Sequence, residues 1–310
     1  MKFIGILLIT FAFFYAYIKN PPIPEFIPNN SYIDWSKPNV LHIMYSSNTF
    51  DCNIYASMSS ILKHTDAPVW FHIGVTTFEH TEIPALSSNS KVSYYKIDNQ
   101  LRLLVGPSLR KKFKRVPLTF GRFFLPELLP TSARSAFYLD TDTIVTANLF
   151  EFVNQYNPYP FIMAEEVGNT MGNLFSVLNI QRRFFKYKNM YMRNNGVLLV
   201  NTTAWKANQM TDQLIDLTNT LTPQIGGKDD QLSMNLMSLD NNYGMLNPSL
   251  NMGCGGFVKT MDLHNSVGII HACGSKKWTN YWNPSPNQKQ ILQVTKGIES
   301  HKICNMRKLR

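Results

Sequence analysis

Short apolar runs alternate with amphipathic stretches along the first half of the chain, and this alternation constrains the fold more than any other feature. The apolar runs indicate buried strands, whereas the stretches between them place apolar residues on one helical face. The predicted strands are Val40–Tyr45, Val69–Val75, Lys91–Ile97 and Ser135–Asp140, and the predicted helices are Asn53–Lys63 and Gly121–Leu128. Strand–helix alternation predicts an α/β domain with a mainly parallel sheet and helices on both faces.

The end of the fourth predicted strand has the strongest local signal in the sequence. That strand runs directly into Asp140-Thr141-Asp142, and parallel sheets bind ligands at the carboxyl ends of their strands. Two carboxylates buried without a cation would be very costly, so we expect a cation beside them. Hard oxygen ligands select magnesium or manganese, and such an ion can bridge to a diphosphate. The alternative interpretation is a loop in which both aspartates cap backbone amides.

The charge of the chain favours an anionic partner. Its net charge is +10 and its pI is about 9.4, which fits nucleic acid, lipid head groups or phosphorylated small molecules. The densest basic cluster, Arg110–Arg115, is either a solvated helix face or a phosphate-binding element. We predict no nucleic-acid partner, because no nucleic-acid motif accompanies this charge. With 44% hydrophobic and 16% charged residues, the chain is not disordered outside its ends.

The N-terminus predicts a membrane anchor. Residues 3–18 are apolar apart from one threonine and two tyrosines, slightly short of the ~20 residues of a typical bilayer span. A cleaved signal peptide is the alternative, but the run ends in bulky residues without a small-residue cleavage site. The predicted organisation is a cytosolic tail at 1–2, a signal anchor at 3–18, a proline-rich stem at 19–38, a catalytic domain at 39–290 and a basic tail at 291–310. We expect a single-pass type II protein of the Golgi or ER membrane with a lumenal domain.

Four sequence blocks occur in a fixed order along the chain. They are Val116–Pro130 followed by YLDTDT, then Asn194–Asn201, Asp230–Asn235 and His271–Trp278. Together they closely resemble the family 8 glycosyltransferases, over roughly Val40 to Trp278. The resemblance implies a GT-A fold, which is a single nucleotide-binding α/β domain with the acceptor site beside it. It also implies transfer from a UDP-sugar to a glycan or glycoprotein acceptor with retention of anomeric configuration, usually with manganese.

The same resemblance assigns the metal-binding and catalytic residues. Asp140, Asp142 and His271 match the metal ligands, which would hold Mn²⁺ or Mg²⁺. Asp230 matches the residue that binds donor-sugar hydroxyls, and Gln231 matches a residue near the reacting carbon. Asn194 matches an asparagine that contacts the donor or acceptor sugar.

The resemblance also assigns residues that bind the nucleotide part of the donor. Phe50 stands near a position that stacks on uracil, and Arg122 matches an arginine that binds phosphate or a sugar-bridging carboxylate. Gly274, Lys276 and Lys277 match a block beside the leaving diphosphate, where an ammonium would stabilise the developing negative charge.

Three departures from the family pattern support a second hypothesis. The K-P-W block is Lys276-Lys277-Trp278, which leaves open which lysine faces the phosphate. The second aspartate of D-Q-D is Leu232, and Ser46-Ser47-Asn48 stands where acidic residues usually hold the base. The alternative is therefore an inactive GT-A domain that binds glycans or serves as a partner subunit of a transferase complex. We favour an active enzyme because all three expected metal ligands are present.

Overall fold

A computed structural model of the protein describes residues 33–48, 52–76, 87–104, 118–153, 157–175, 182–225, 229–252 and 268–271. The predicted anchor, most of the predicted stem and the predicted C-terminal tail lie outside these residues. So do Phe50, Gly274, Lys276 and Lys277. Among the described helices, none combines the length and the apolar character needed to cross a membrane.

A mainly parallel sheet forms the centre of the fold. The strands within the described residues are β1 (Leu41–Ser46), β2 (Val69–Val75), β3 (Ser90–Lys96), β4 (Ser135–Leu139), β5 (Thr143–Val145), β6 (Phe161–Thr170), β7 (Tyr191–Asn201) and β8 (Ile269–His271). The main sheet has the order β3-β2-β1-β4-β7-β6, and β5 pairs with β8 in a separate ribbon. Strands β1 to β4 of the main sheet are parallel, whereas β7 is antiparallel to both of its neighbours. The predicted α/β class with a mainly parallel sheet is confirmed.

The predicted strands agree closely with the observed ones. β2 has the predicted bounds. The predicted β1 and β3 are shifted by one residue at both ends, and the predicted β4 differs by one residue at its C-terminal end. β4 ends at Leu139 rather than at Asp140. The backbone N–H of Asp140 still donates to the carbonyl oxygen of Gly196 on β7 at 2.7 Å. This bond holds the backbone of Asp140 at the end of the sheet.

Helices cover both faces of the main sheet, as predicted. The α-helices within the described residues are α1 (Cys52–His64), α2 (Asp98–Leu104), α3 (Gly121–Leu128), α4 (Phe150–Val153), α5 (Met171–Phe175), α6 (Thr202–Ala207), α7 (Met210–Ile225) and α8 (Asp229–Asp240). Because side chains alternate along a strand, Phe137 and Leu139 of β4 face α1, whereas Ala136 and Tyr138 face α3 and α7. Two separate hydrophobic cores hold the sheet between these helices.

A third hydrophobic cluster lies beyond the end of β4. It joins α5, the start of β7 and one face of α8, and it includes Met192, Leu232 and Leu236. Because Asp140 pairs with Gly196, the residues of β7 before Gly196 extend past the end of β4. Packing of α8 against this extension brings the first turn of α8 to the edge of the sheet where Asp140 lies.

Buried histidines on β1 and β2 form a polar row inside the fold. Nδ1 of His42 lies 2.9 Å from Nε2 of His72, and Nδ1 of His72 lies 2.9 Å from the Tyr95 hydroxyl. Trp70 stacks on His72 with ring centroids 4.9 Å apart. Burial lowers the pKa of His42 to about 4. The pKa of His72 also falls well below its usual value, through burial first and then through His42 and Lys91. Both imidazoles are therefore neutral in the folded protein at neutral pH.

Candidate active site

A compact group of possible metal ligands, the acidic cluster, lies at the carboxyl end of β4. It consists of Asp140, Asp142 and His271. Asp140 follows β4 and Asp142 immediately precedes β5, whose Thr143 pairs with His271 of β8. Nε2 of His271 lies 3.3 Å from an Asp142 oxygen and 3.7 Å from an Asp140 oxygen. One ligand atom from each residue lies within 4.8 Å of the others. The short β5–β8 ribbon thus joins residues that are about 130 positions apart in the sequence.

Gly196 leaves room for this cluster. A Cβ atom at Gly196 would lie 2.1 Å from Cε1 of His271 and 2.7 Å from Oδ2 of Asp140. Any side chain at this position would therefore displace one of the two groups. The cluster, with one imidazole nitrogen and two carboxylates around a space that only glycine leaves open, fits a divalent cation such as Mn²⁺ or Mg²⁺.

Arg122 on α3 connects this cluster to the start of α8. Its Nη2 lies 2.9 Å from Oδ1 of Asp140, and its Nε lies 3.3 Å from Oδ2 of Asp230. It also donates to the carbonyl oxygens of Thr119 and Asn195. The side chain is almost wholly buried, so it is not the surface arginine that its helix position alone would suggest.

The charge of Arg122 is held by its neighbours despite its burial. Burial by itself lowers the pKa of Arg122, but the carboxylates of Asp140 and Asp230 more than offset this effect and raise the pKa above its usual value. The guanidinium also lies 4.7 Å from the Tyr138 ring centroid, a favourable cation–π distance. Arg122 is therefore a permanent positive charge between two acidic groups.

Asp230 and Gln231 lie in the first turn of α8. Oδ2 of Asp230 accepts a hydrogen bond from Nδ2 of Asn195 at 3.1 Å, in addition to its ion pair with Arg122. Nε2 of Gln231 donates to Oε2 of Glu166 on β6 at 3.3 Å. Both side chains are thus held at the same edge of the sheet as the acidic cluster.

A family model for glycosyl transferase family 8 matches residues 43–282, which is most of the chain. The chain belongs to glycosyltransferase family 8. Glycosyltransferase 8 domain-containing protein 1 of Bos taurus is 28% identical over 221 residues, covering 61% of this chain. The human protein of that name is 28% identical over 228 residues, covering 64% of this chain. The matches span only 58% and 60% of those two proteins.

Solved structures of glycosyltransferases share the fold. The glycosyltransferase GlyE of Streptococcus pneumoniae TIGR4 matches with a TM-score of 0.59 and 18% identity, over 86% of this chain and 63% of that one. The galactosyltransferase LgtC, solved with donor and acceptor sugar analogues, matches with a TM-score of 0.56 and 14% identity, over 82% of this chain and 95% of that one. At these identities the likeness establishes the GT-A type of fold, which is confirmed.

The structure adds three residues to the candidate site that the sequence did not indicate. Asn195 holds Asp230, Glu166 holds Gln231, and Asn251 lies 2.9 Å from Nδ1 of His271. Asn195 directly follows the predicted Asn194 in the block Asn194–Asn201. Its position in that block could therefore have indicated a role in the site. Glu166 and Asn251 are isolated polar residues whose neighbours come from distant segments.

Leu232 explains one departure from the family pattern. It stands at the second acidic position of the D-Q-D block, but its side chain is 1% exposed and packs in the third hydrophobic cluster. Residues two apart on a helix point roughly 200° away from each other around the axis. Position 232 therefore faces the core while Asp230 faces the site.

Proposed function

We propose that this chain is an active, retaining glycosyltransferase that uses a UDP-sugar donor, a divalent metal ion and a glycan or glycoprotein acceptor. The observation that supports it most is the single connected set formed by the acidic cluster, Arg122 and Asp230 at the ligand-binding edge of the sheet. Membership of family 8 supports sugar transfer. The finer statements about retention, UDP and manganese rest on the family resemblance.

Asp140, Asp142 and His271 are the residues that would hold the metal ion. A bound Mn²⁺ or Mg²⁺ would neutralise charge on the diphosphate of the donor as it departs. Arg122 keeps Asp140 turned toward the cluster through one of its nitrogens. We expect Lys276 or Lys277 to assist the diphosphate, with Phe50 against the base and Gly274 beside the phosphates.

Asp230 is suited to bind hydroxyls of the donor sugar and to stabilise positive charge at the anomeric carbon. Its carboxylate is fixed by Arg122 and Asn195, so little reorganisation is needed when that charge develops. Gln231 is an amide and a poor nucleophile. Its nitrogen is already bound to Glu166.

These contacts favour front-side displacement over a covalent intermediate. The acceptor oxygen forms the new bond to the anomeric carbon while the bond to the UDP oxygen breaks on the same face. The acceptor proton passes to the departing diphosphate oxygen. No nucleophile from the protein is required.

For the location of the enzyme we propose the lumenal side of the Golgi or ER membrane, with residues 3–18 as a type II anchor. The apolar N-terminal run and the prolines after it support this orientation. Protease treatment of intact microsomes tests it. Digestion of the catalytic domain without detergent would exclude the lumenal orientation.

A panel of UDP-sugars tests the activity. Manganese-dependent hydrolysis of at least one UDP-sugar by the full chain is expected, and excess chelator should abolish it. Asp142→Asn should remove this activity while the fold is retained, whereas Asp216→Asn, at an exposed position of α7, should leave it unchanged. If the chain binds UDP with manganese but neither hydrolyses nor transfers any sugar, the inactive glycan-binding or partner-subunit hypothesis replaces the enzyme.

A further inference from the structure

Asn251 lies between the acidic cluster and Asn194. Its Oδ1 is 2.9 Å from Nδ1 of His271. Its Nδ2 donates to Oδ1 of Asn194 at 3.1 Å and lies 3.4 Å from the backbone oxygen of Asn194. All three side chains are buried. One amide thus touches a predicted metal ligand at one end and a predicted sugar-contacting residue at the other.

A backbone amide determines the direction of every hydrogen bond in this row. The N–H of Gly196 can only donate, and it lies 2.9 Å from the Asn194 side chain, so the Asn194 atom there is the oxygen. The Asn251 atom that faces this oxygen and the Asn194 carbonyl must then be the NH₂ group. The remaining atom of Asn251, which faces His271, is consequently its oxygen.

The oxygen of Asn251 can only accept, so Nδ1 of His271 must bear a proton. In a neutral imidazole the other nitrogen, Nε2, then has the lone pair. Nε2 is the nitrogen that faces Asp140 and Asp142. A metal ion in the cluster needs that lone pair as its ligand.

We propose that Asn251 is a positioning residue that fixes His271 in the metal-binding tautomer and orients Asn194 with the same amide. The inference rests on the proposed function, because it assigns a role to the metal site. As a consequence, Asn251 supports both metal binding and the contact with the sugar. Disturbing that support is expected to change both, although Asn251 would contact neither the metal ion nor the sugar directly.

Two substitutions separate the two ends of the amide. Asn251→Leu removes the hydrogen bonds at both ends of the amide at similar side-chain size, whereas Asn251→Asp keeps an acceptor for His271 and loses the donor to Asn194. Asn247→Ala is a matched control, because Asn247 belongs to the same segment and its side chain caps the amide of Ser249 at an exposed position. A merely structural role for Asn251 would lower stability in Asn251→Leu without changing metal affinity.

The affinity for Mn²⁺ alone is measured on the full chain in detergent by the loss of the free-ion EPR signal. Asn251→Leu should weaken binding by about 10–100-fold, the usual effect of removing a partner of a metal-bound histidine. Asn251→Asp should bind Mn²⁺ within about threefold of the wild type on the same reasoning, yet transfer sugar poorly. Asn247→Ala should match the wild type in both respects.

The histidine tautomer provides a readout that needs no metal. ¹⁵N NMR of imidazole-labelled, metal-free protein should show His271 protonated at Nδ1 in the wild type and in Asn251→Asp, with this preference lost in Asn251→Leu. Wild-type Mn²⁺ affinity and tautomer in Asn251→Leu would overturn the proposal while Asp142→Asn still tests the metal site. If the wild-type chain binds no Mn²⁺, the metal site of the proposed function and the role given to Asn251 both fail.

Discussion

Gly196→Ala tests whether the space between His271 and Asp140 is a metal site. The backbone φ of Gly196 is not in the left-handed region, so alanine can adopt the local conformation of β7. The effect of the substitution is therefore the contact made by one methyl group. That methyl group enters the space between the two predicted ligands.

The size of the displacement follows from the distances. The new Cβ would lie 2.1 Å from Cε1 of His271, and ordinary contact begins at 3.4 Å, so the ring must move by about 1.3 Å. The Asp140 oxygen at 2.7 Å must also move. Because misplacement of about 1 Å near reacting groups can lower a rate about 100-fold, we expect a loss of turnover of that order. Overpacking should lower the free energy of unfolding by about 1–3 kcal/mol.

The assay combines turnover, Mn²⁺ titration and thermal unfolding of the same preparations. Gly244→Ala is the control, because its Cβ would press on the Tyr159 ring at 2.8 Å, outside the acidic cluster. This control should lose some stability and keep its Mn²⁺ affinity. Adding His271→Ala to Gly196→Ala should recover stability, since the clashing ring is gone, without recovering turnover.

Unchanged turnover and Mn²⁺ affinity in Gly196→Ala would refute the assignment of this space to a metal ion. A loss of stability that His271→Ala does not relieve would refute the steric reasoning, since the damage would then lie in β7 itself.

Three further outcomes are expected. Arg122→Met should lower the free energy of unfolding by about 3 kcal/mol in urea titrations, because it leaves two partly buried carboxylates unpaired, whereas Arg134→Met at an exposed position should have little effect. The free energy of unfolding should fall as the pH drops from 6.5 towards 4, because the folded-state pKa of His42 is lowered to about 4 and the unfolded chain binds more protons in this range. The loss in the free energy of unfolding over this range is about 3 kcal/mol. Urea titrations of His42→Gln should show a flatter pH dependence. Asp230→Asn should reduce the chemical rate, measured by rapid quench, far more than the UDP affinity, measured by calorimetry, since UDP lacks the sugar. Gln231→Ala should have a milder effect in the same assays. Abolished turnover in Gln231→Ala, together with a trapped sugar adduct, would instead support a covalent route.

The strands that the sequence predicts well are short runs of mostly apolar residues. Val69–Val75 is one of them, and it is buried along its whole length. The sequence does not predict the direction of β7, because an apolar run such as Val197–Val200 is equally compatible with a parallel or an antiparallel neighbour. Only the pairing with β4 shows that it runs in reverse.

Within the site, groups of residues from one short segment are easier to predict from the sequence than contacts between distant segments. Asp140 and Asp142 are recognisable because both belong to one short segment after an apolar strand. The sequence does not show that Asn251 supports His271, because the two meet through the pairing of the next residue, Met252, with the three-residue strand β8. Strands this short have no periodicity to read. The burial of Arg122 is equally hidden, since its acidic partners lie directly after β4 and in α8.

The summed formal charge of the acidic groups and Arg122 bears on the choice between an active and an inactive protein. Asp140, Asp142 and Asp230 contribute three negative charges and Arg122 one positive charge, so these four groups have a formal charge of −2. A single divalent cation neutralises that charge, whereas a donor diphosphate alone would add to it and be repelled. Leu232 does not alter this balance, because its position faces the hydrophobic cluster. The acidic residue missing from the D-Q-D block thus leaves these four groups unchanged, and their formal charge fits the divalent cation of the proposed function.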